Sequence, residues 1–136
     1  MLSIRQVVIL CAIAIGFWVG ALAWIRFLPA QVADPWRGDL LFLASLPGCW
    51  LCILAARRLA ALAPAQLVPG TAVVVAVATL IDAVALRWLP PLYSGSAQVC
   101  RLGAAWLLWG YGLSLGIALL MQHRSTIRGL ASRGPG

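Results

Sequence analysis

Four long apolar runs, each separated from the next by a short polar stretch, dominate this sequence. They cover residues 7–25, 40–56, 67–86 and 102–121. A helix of about 17–20 residues is roughly 25–30 Å long, which is close to the thickness of the hydrocarbon core of a bilayer. The pattern therefore predicts an all-α integral membrane protein, a four-helix bundle with short loops.

The charged residues are too few for a water-soluble domain. Hydrophobic residues make up 63% of the chain and charged residues only 10%, whereas soluble domains carry about 25%. All ten basic residues are arginines, and they stand singly or in pairs between the apolar runs. This scatter predicts contacts with anionic lipid headgroups and no nucleic-acid partner.

The distribution of the arginines predicts an orientation. With the N-terminus in the cytoplasm, four arginines and the loop acids Asp34 and Asp39 fall outside. Six arginines then fall inside, which favours an N-in, C-in topology by the positive-inside rule; they are Arg5, Arg57, Arg58, Arg124, Arg128 and Arg133. Residues 1–124 form the predicted membrane domain, and the polar, Gly-rich residues 125–136 are expected to be a flexible tail.

Two of the spans allow a second interpretation. Arg5 followed by Ala21-Leu22-Ala23 fits a cleaved signal peptide, but the apolar run continues through Trp24 and Ile25, so a retained span is expected. The second run contains Pro47-Gly48, where a helix either kinks or breaks.

Small residues recur at helical spacing on two of the predicted spans. Gly16 and Gly20 lie four residues apart in the first run, and Gly110, Gly112 and Gly116 lie in the fourth. Helices in lipid associate where small residues let their backbones approach closely. These glycines therefore predict packing seams, within the chain by preference and otherwise against another copy or a partner protein.

Asp82 is the one acidic residue inside a predicted span. An ionised carboxylate in a bilayer is costly unless it is paired or hydrated. A structural ion pair with Arg87, Arg101 or Arg26 is the favoured interpretation, because these arginines are expected near the same side of the membrane. Proton or ion handling and contact with a partner are the alternatives.

Cys49 and Cys52 form a Cys-x-x-Cys pattern within the second span. Helical spacing places both sulfurs on one face, so the two are a possible redox pair. The expected depth is wrong for exchange with a second thiol pair, and buried cysteines often act as small apolar side chains. No metal site is predicted, because His123 is the only histidine and no ligand cluster accompanies the thiols.

Aromatic residues are concentrated near the fourth span. Trp106, Trp109 and Tyr111 are predicted to form an aromatic face toward a partner. Bound lipid is expected, and contact with a pigment or quinone stays open, although filling of the bundle is the simpler explanation. No resident cofactor is predicted.

Several short motifs occur in the second half of the chain. They are Leu-Ile-Asp-Ala at residues 80–83, Pro90-Pro91 followed by Tyr93, and Gly-Ala-Ala-Trp-Leu-Leu-Trp-Gly-Tyr-Gly-Leu at residues 103–113. Over the last two spans the chain resembles a family of small bacterial four-helix integral membrane proteins of unassigned function. It departs from the family pattern at Ala78-Thr79, where members tend to have Pro-Gly. The resemblance implies a bacterial inner-membrane location and a region around Asp82 and Trp106 worth testing, but no activity.

No set of residues in the sequence matches a known catalytic arrangement. The leading hypothesis is a small non-enzymatic accessory or structural subunit of a larger membrane complex, or a homo-oligomer, in the bacterial cytoplasmic or intracytoplasmic membrane. Its partners would be membrane lipids and another membrane protein or itself. The first alternative is a small proton- or ion-coupled transporter that uses Asp82. The second is a membrane thiol-disulfide oxidoreductase that uses Cys49 and Cys52.

Overall fold

The chain folds into helices joined by short connections. The computed structural model describes residues 1–131, apart from the side chains of residues 126 and 128–131. The described part holds five α-helices and no strand. They are α1 (Ile4–Phe27), α2 (Pro29–Ala33), α3 (Pro35–Leu59), α4 (Leu67–Trp88) and α5 (Ala97–Ala131). One 3-10 turn, Pro64–Gln66, precedes α4, and another, Pro90–Leu92, precedes α5.

Four of these helices are long and apolar enough to cross a membrane, which confirms the predicted all-α bundle. Each is longer than the apolar run that predicted it, because hydropathy marks the hydrocarbon core while the helix continues into the interface. Helix α5 runs to Ala131, so residues 125–131 of the predicted tail are helical. Residues 132–136 of that tail, including Arg133, lie outside the described part. The N-in, C-in topology stays a prediction.

The helix ends follow from local sequence. Ser3 and Gln6 form a capping box at the start of α1, in which each side chain accepts a hydrogen bond from the backbone of the other. Helix α3 ends at Leu59 and is followed by the capping residue Ala60 and a left-handed residue, Ala61, whose φ is 48°. The N–H of Leu62 then donates to the carbonyl of Arg57 at 2.9 Å, the pairing of a Schellman cap.

Helix α3 is continuous through Pro47, so the span is not broken there. Proline cannot donate a backbone hydrogen bond, and this disturbs the preceding turn. The carbonyl that loses its intrahelical donor is that of Leu43, four residues before Pro47. Side chains bind two carbonyls just before it: Ser45 Oγ donates to Leu41 at 2.8 Å, and Trp109 Nε1 donates to Phe42 at 3.1 Å. Neither bond replaces the one that Pro47 removes, and the helix continues in spite of it.

The spans pack in an order that differs from their order in the chain. Helix α1 packs against α4, α4 against α5, and α5 against α3, whereas α1 and α3 touch each other little. The bundle is therefore a ring of four helices with one open side, between α1 and α3. We call its two ends the Tyr93 end, with residues 28–34 and 89–96, and the Gln66 end, with the N-terminus and residues 60–66.

Close packing at glycine occurs at positions other than the predicted seams. A Cβ on Gly103 would lie 3.0 Å from Ile25 Cδ1, and one on Gly70 would lie 2.6 Å from Leu62 Cδ1. A Cβ on any of the predicted seam glycines would meet no atom of the described chain within 4 Å; these are Gly16, Gly20, Gly110, Gly112 and Gly116. The expectation of packing within the chain is not met at Gly16, Gly20, Gly112 and Gly116, which are exposed. Gly110 is half-buried, and its carbonyl accepts a hydrogen bond from Cys49 of α3. Spacing predicts a stripe of small residues but not which way it faces.

Candidate functional site

Asp82 lies at the centre of a hydrogen-bonded cluster inside the bundle. Only 4% of its surface is exposed. The hydroxyl of Tyr93 donates to one carboxylate oxygen of Asp82, and the hydroxyl of Tyr111 donates to the other. Trp18 Nε1 in turn donates to the Tyr93 hydroxyl at 2.9 Å. The chain has only two tyrosines, and both bind this carboxyl group.

The partners of Asp82 are therefore tyrosines and not the arginines that the sequence favoured. In the described part of the chain no ion pair joins Asp82 to an arginine. Arg87 and Arg101 are exposed. Arg26 instead donates to the carbonyls of Pro91 and Leu92, at 2.9 Å each. Neutral hydroxyls satisfy the lone pairs of a buried carboxylate without placing a second charge in the membrane.

Three elements bring the cluster together. Asp82 is on α4, about 9 Å along the helix from its end at Trp88. Tyr93 follows the 3-10 turn and is buried among Ile25, Val32 and other apolar side chains. Arg26 holds that turn through its two carbonyl contacts, so this arginine positions Tyr93 and does not touch Asp82. Tyr111 comes from α5, which packs along α4.

Because of the Tyr93 hydroxyl, the free energy of unfolding should depend on pH in the alkaline range. Burial, and then the hydrogen bond to Asp82, raise the pKa of Tyr93 above its ordinary value of about 10. The unfolded chain then loses this proton at a lower pH than the folded chain. The stabilisation is complete below about pH 10, and above it the free energy of unfolding should fall by about 1.4 kcal/mol per pH unit.

Thermal unfolding in detergent between about pH 9 and pH 11.5 tests this dependence. Tyr93→Phe should be less stable at neutral pH and should show a shallower loss of stability above about pH 10. An identical alkaline slope in Tyr93→Phe and the unaltered protein would contradict the prediction.

A cavity of about 260 Å³ lies among α1, α3, α4 and α5, next to this cluster. A cavity of about 150 Å³ already binds benzene in an engineered protein. The wall is mainly apolar, and its polar members include Ser45, Cys49, Cys52, Thr71, Trp106 and Tyr111. Tyr111 both lines the cavity and binds Asp82, so it connects the buried carboxyl group with the cavity.

The three residues of the predicted aromatic partner face point to different places. Trp106 lines the cavity and donates to Ser45 Oγ at 2.8 Å. Tyr111 turns inward to Asp82. Trp109 is 43% exposed, and its ring lies 5.7 Å from that of Phe42. A single aromatic face toward a partner is therefore not formed, because Tyr111 lies on the other side of α5 from Trp109 and because Trp106 turns into the cavity.

The four described cysteines are free thiols. Cys49 and Cys52 both line the cavity, and Cys49 Sγ donates to the carbonyl of Gly110 at 3.5 Å. The structure thus brings the pair to one surface, and its redox activity stays a prediction. Among residues 1–131 no group of three His, Cys, Asp or Glu side chains has an arrangement suited to a metal ion.

Sequence reasoning missed Trp18, Tyr93, Ser45 and Thr71 as members of the site. A usable signal existed for Tyr93, because a buried carboxylate needs hydrogen-bond donors and the chain offers only two tyrosines. No comparable signal pointed to Ser45 or Thr71, whose importance comes from the cavity.

These features define a multi-pass helical membrane protein with an intramembrane cavity and a buried carboxyl cluster. Comparisons with family models, curated proteins and solved structures gave no match. The resemblance to small bacterial four-helix membrane proteins therefore stays a prediction that rests on the motifs of the last two spans.

Proposed function

We propose that this chain is a small non-enzymatic subunit of the bacterial inner membrane that assembles with a larger membrane complex or with its own copies. Both termini would lie in the cytoplasm. One observation carries the proposal: Gly16 and Gly20 of α1 and Gly112 and Gly116 of α5 are exposed, and a Cβ on any of them would meet no neighbouring helix of the described chain within 4 Å.

An exposed glycine in a membrane helix offers no side chain to the hydrocarbon, but it lets another backbone come close. On α1, Ala12, Gly16 and Gly20 are all exposed and form one continuous stripe. On α5, Gly112 and Gly116 are also exposed. The chain thus presents two surfaces suited to helix–helix contact, and both are free to receive another protein.

Purification of the tagged protein from native membranes in mild detergent tests the proposal. Mass spectrometry should find a stoichiometric partner, or light scattering should give the mass of a homo-oligomer. The first result makes the protein an accessory subunit, and the second makes it a self-assembling one. A monomer with no partner would contradict both forms.

A proton-coupled carrier is the second candidate, favoured by the surroundings of Asp82. Its carboxyl group has neutral partners and is linked to the cavity through Tyr111. Intramembrane carboxyl groups of this kind serve proton relays in pumps and transporters.

Asp82→Asn should abolish proton flux into vesicles loaded with a pH-sensitive dye under an imposed membrane potential. Asp39→Asn is the matched control, because Asp39 is exposed near the start of α3. A flux equal to that of protein-free vesicles, or one unchanged by Asp82→Asn, would contradict the carrier.

A further inference from the structure

The cavity between α1 and α3 is long and opens toward the bilayer. Its wall on α3 runs from Ser45 to Ala56, about 16 Å along the helix axis. On α5 the wall runs from Trp106 to Ser114, about 12 Å. Since α1 and α3 touch little, the space between them faces the surrounding lipid. An elongated apolar space of this kind fits a hydrocarbon chain better than a compact molecule.

Nearly all polar groups of the wall are already bonded within the protein. The Ser45 hydroxyl binds Leu41 and Trp106, and the Ser114 hydroxyl donates to Gly110 at 2.8 Å. Along most of its length, the wall therefore has no polar group that needs a hydrogen bond from the occupant. The occupant of this part is therefore expected to be apolar.

Thr71 is the exception. Thr71 is only 6% exposed and lines the cavity, and the described part of the chain shows no hydrogen bond of its hydroxyl. It lies about one turn into α4, at the Gln66 end. Since every buried side-chain nitrogen or oxygen of the described residues has a hydrogen-bond partner, the Thr71 hydroxyl is open to the cavity. It can therefore bind a polar group of the occupant, such as an ester carbonyl.

Positive charge without nearby acid lies at this same end. Arg5 is on the first turn of α1, and Arg57 and Arg58 are on the last turn of α3, so α1 and α3 both carry arginine at this end of the bundle. Asp34 caps the start of α3 and Asp39 follows one turn later, at the opposite end of the bundle. Basic groups between membrane helices bind anionic lipid headgroups.

We propose that the cavity holds one acyl chain of an anionic phospholipid. The phosphate lies at Arg5, Arg57 and Arg58, and the ester region lies at Thr71. The chain then runs between α1 and α3 toward Trp106. This site does not depend on the proposed role as an assembled subunit, because it lies within a single chain and does not use the exposed glycines of α1 and α5.

Thiol protection in the unaltered protein provides the first test. Cys49 and Cys52 line the cavity, whereas Cys11 and Cys100 do not and serve as internal controls. Delipidated protein in detergent is treated with N-ethylmaleimide after addition of dioleoyl phosphatidylglycerol or dioleoyl phosphatidylcholine. At phosphatidylglycerol about tenfold above its Kd, modification of the two cavity thiols should slow about tenfold. Phosphatidylcholine should protect only at higher concentration.

Matched variants identify the two parts of the site. Gly48 lines the cavity and has open space around its Cβ position, so Gly48→Leu should fill the cavity and remove bound phospholipid. Ala55→Leu, on an exposed part of the same helix, should retain it.

Replacement of Arg5, Arg57 and Arg58 by glutamine should weaken phosphatidylglycerol binding about fivefold per arginine. Arg87→Gln and Arg101→Gln, near the Tyr93 end, should leave it unchanged.

Equal protection of all four thiols, or equal protection by the two lipids at the same concentration, would overturn the proposal. Retention of phosphatidylglycerol by Gly48→Leu at the level of Ala55→Leu would overturn it as well. The thiol measurement uses the unaltered chain, so it remains decisive if a variant fails to fold.

Discussion

Replacement of both Tyr93 and Tyr111 by phenylalanine should destabilise the protein more than any other pair of conservative changes in the bundle. Both hydroxyls donate to the Asp82 carboxyl group, and Asp82 is buried. Removing them leaves the carboxylate in the membrane interior with no donor. A hydrogen bond to a charged group is worth about 1.5–3 kcal/mol, so the double change should cost about 3–6 kcal/mol.

Removal of the Asp82 carboxyl group tests whether this cost comes from the unpaired carboxylate. Asp82→Leu alone leaves the hydroxyls of Tyr93 and Tyr111 without their acceptor and should also be destabilising. In the triple variant, with Asp82→Leu and both tyrosines replaced, no member of the cluster lacks a partner except the indole of Trp18. Replacing all partners by apolar groups is often close to neutral. We therefore expect the triple variant to be more stable than the double tyrosine variant.

Thermal unfolding of the purified variants in one detergent measures these differences. A triple variant less stable than the double variant would show that the tyrosines stabilise the bundle through packing and not through Asp82. Tyr93→Phe and Tyr111→Phe measured singly provide the control for additivity, because both act on the same carboxyl group.

The second large effect concerns assembly. Gly16→Leu combined with Gly20→Leu should separate the protein from its partner or from its own copies. Both positions are exposed, and a Cβ at either meets nothing within the chain. Overpacking a close interface costs about 1–3 kcal/mol per site, which weakens association about 5- to 150-fold for each leucine. The stability of the separated chain should hardly change.

Gly103→Leu is the matched control. For this variant we expect association to persist and the stability of the chain to fall. Gly103 faces Ile25, which is fully buried, and a Cβ there would lie 3.0 Å from its Cδ1 atom. The added side chain should lower the unfolding temperature without acting on the outer surface of the bundle. Light scattering and thermal unfolding on the same samples separate the two effects. Intact assembly in the Gly16→Leu, Gly20→Leu variant would contradict the role assigned to this stripe.

The membrane spans could be predicted from the sequence, because hydropathy depends on each residue alone and not on its neighbours in space. The four runs lie inside the helices that the structure shows. The ends were less predictable, since α1 begins at a capping box and α5 continues well past its apolar run. Pro47 shows the same limit: the sequence left open whether α3 breaks there, and the structure shows a continuous helix.

The site depends on contacts between distant residues, and here the sequence was a weaker guide. Asp82 was identified by its type and position, because a carboxyl group in an apolar run is unusual. Its partners were not, because a search for opposite charge passes over neutral tyrosines that lie 11 and 29 residues further along the chain. The cavity was also unpredictable, because it arises from the weak contact between α1 and α3, and no property of either helix alone encodes it.

The packing order of the spans has a consequence for synthesis of the protein. Helix α1 leaves the ribosome first, yet its main partner is α4, which ends about 60 residues later. At about 5–20 residues per second, α1 stays without that partner for roughly 3–12 seconds. During this interval α1 and α3 are both inserted but have little surface to bind each other. The unfinished bundle would therefore depend on the insertion machinery or on surrounding lipid to hold its first helices until α4 arrives.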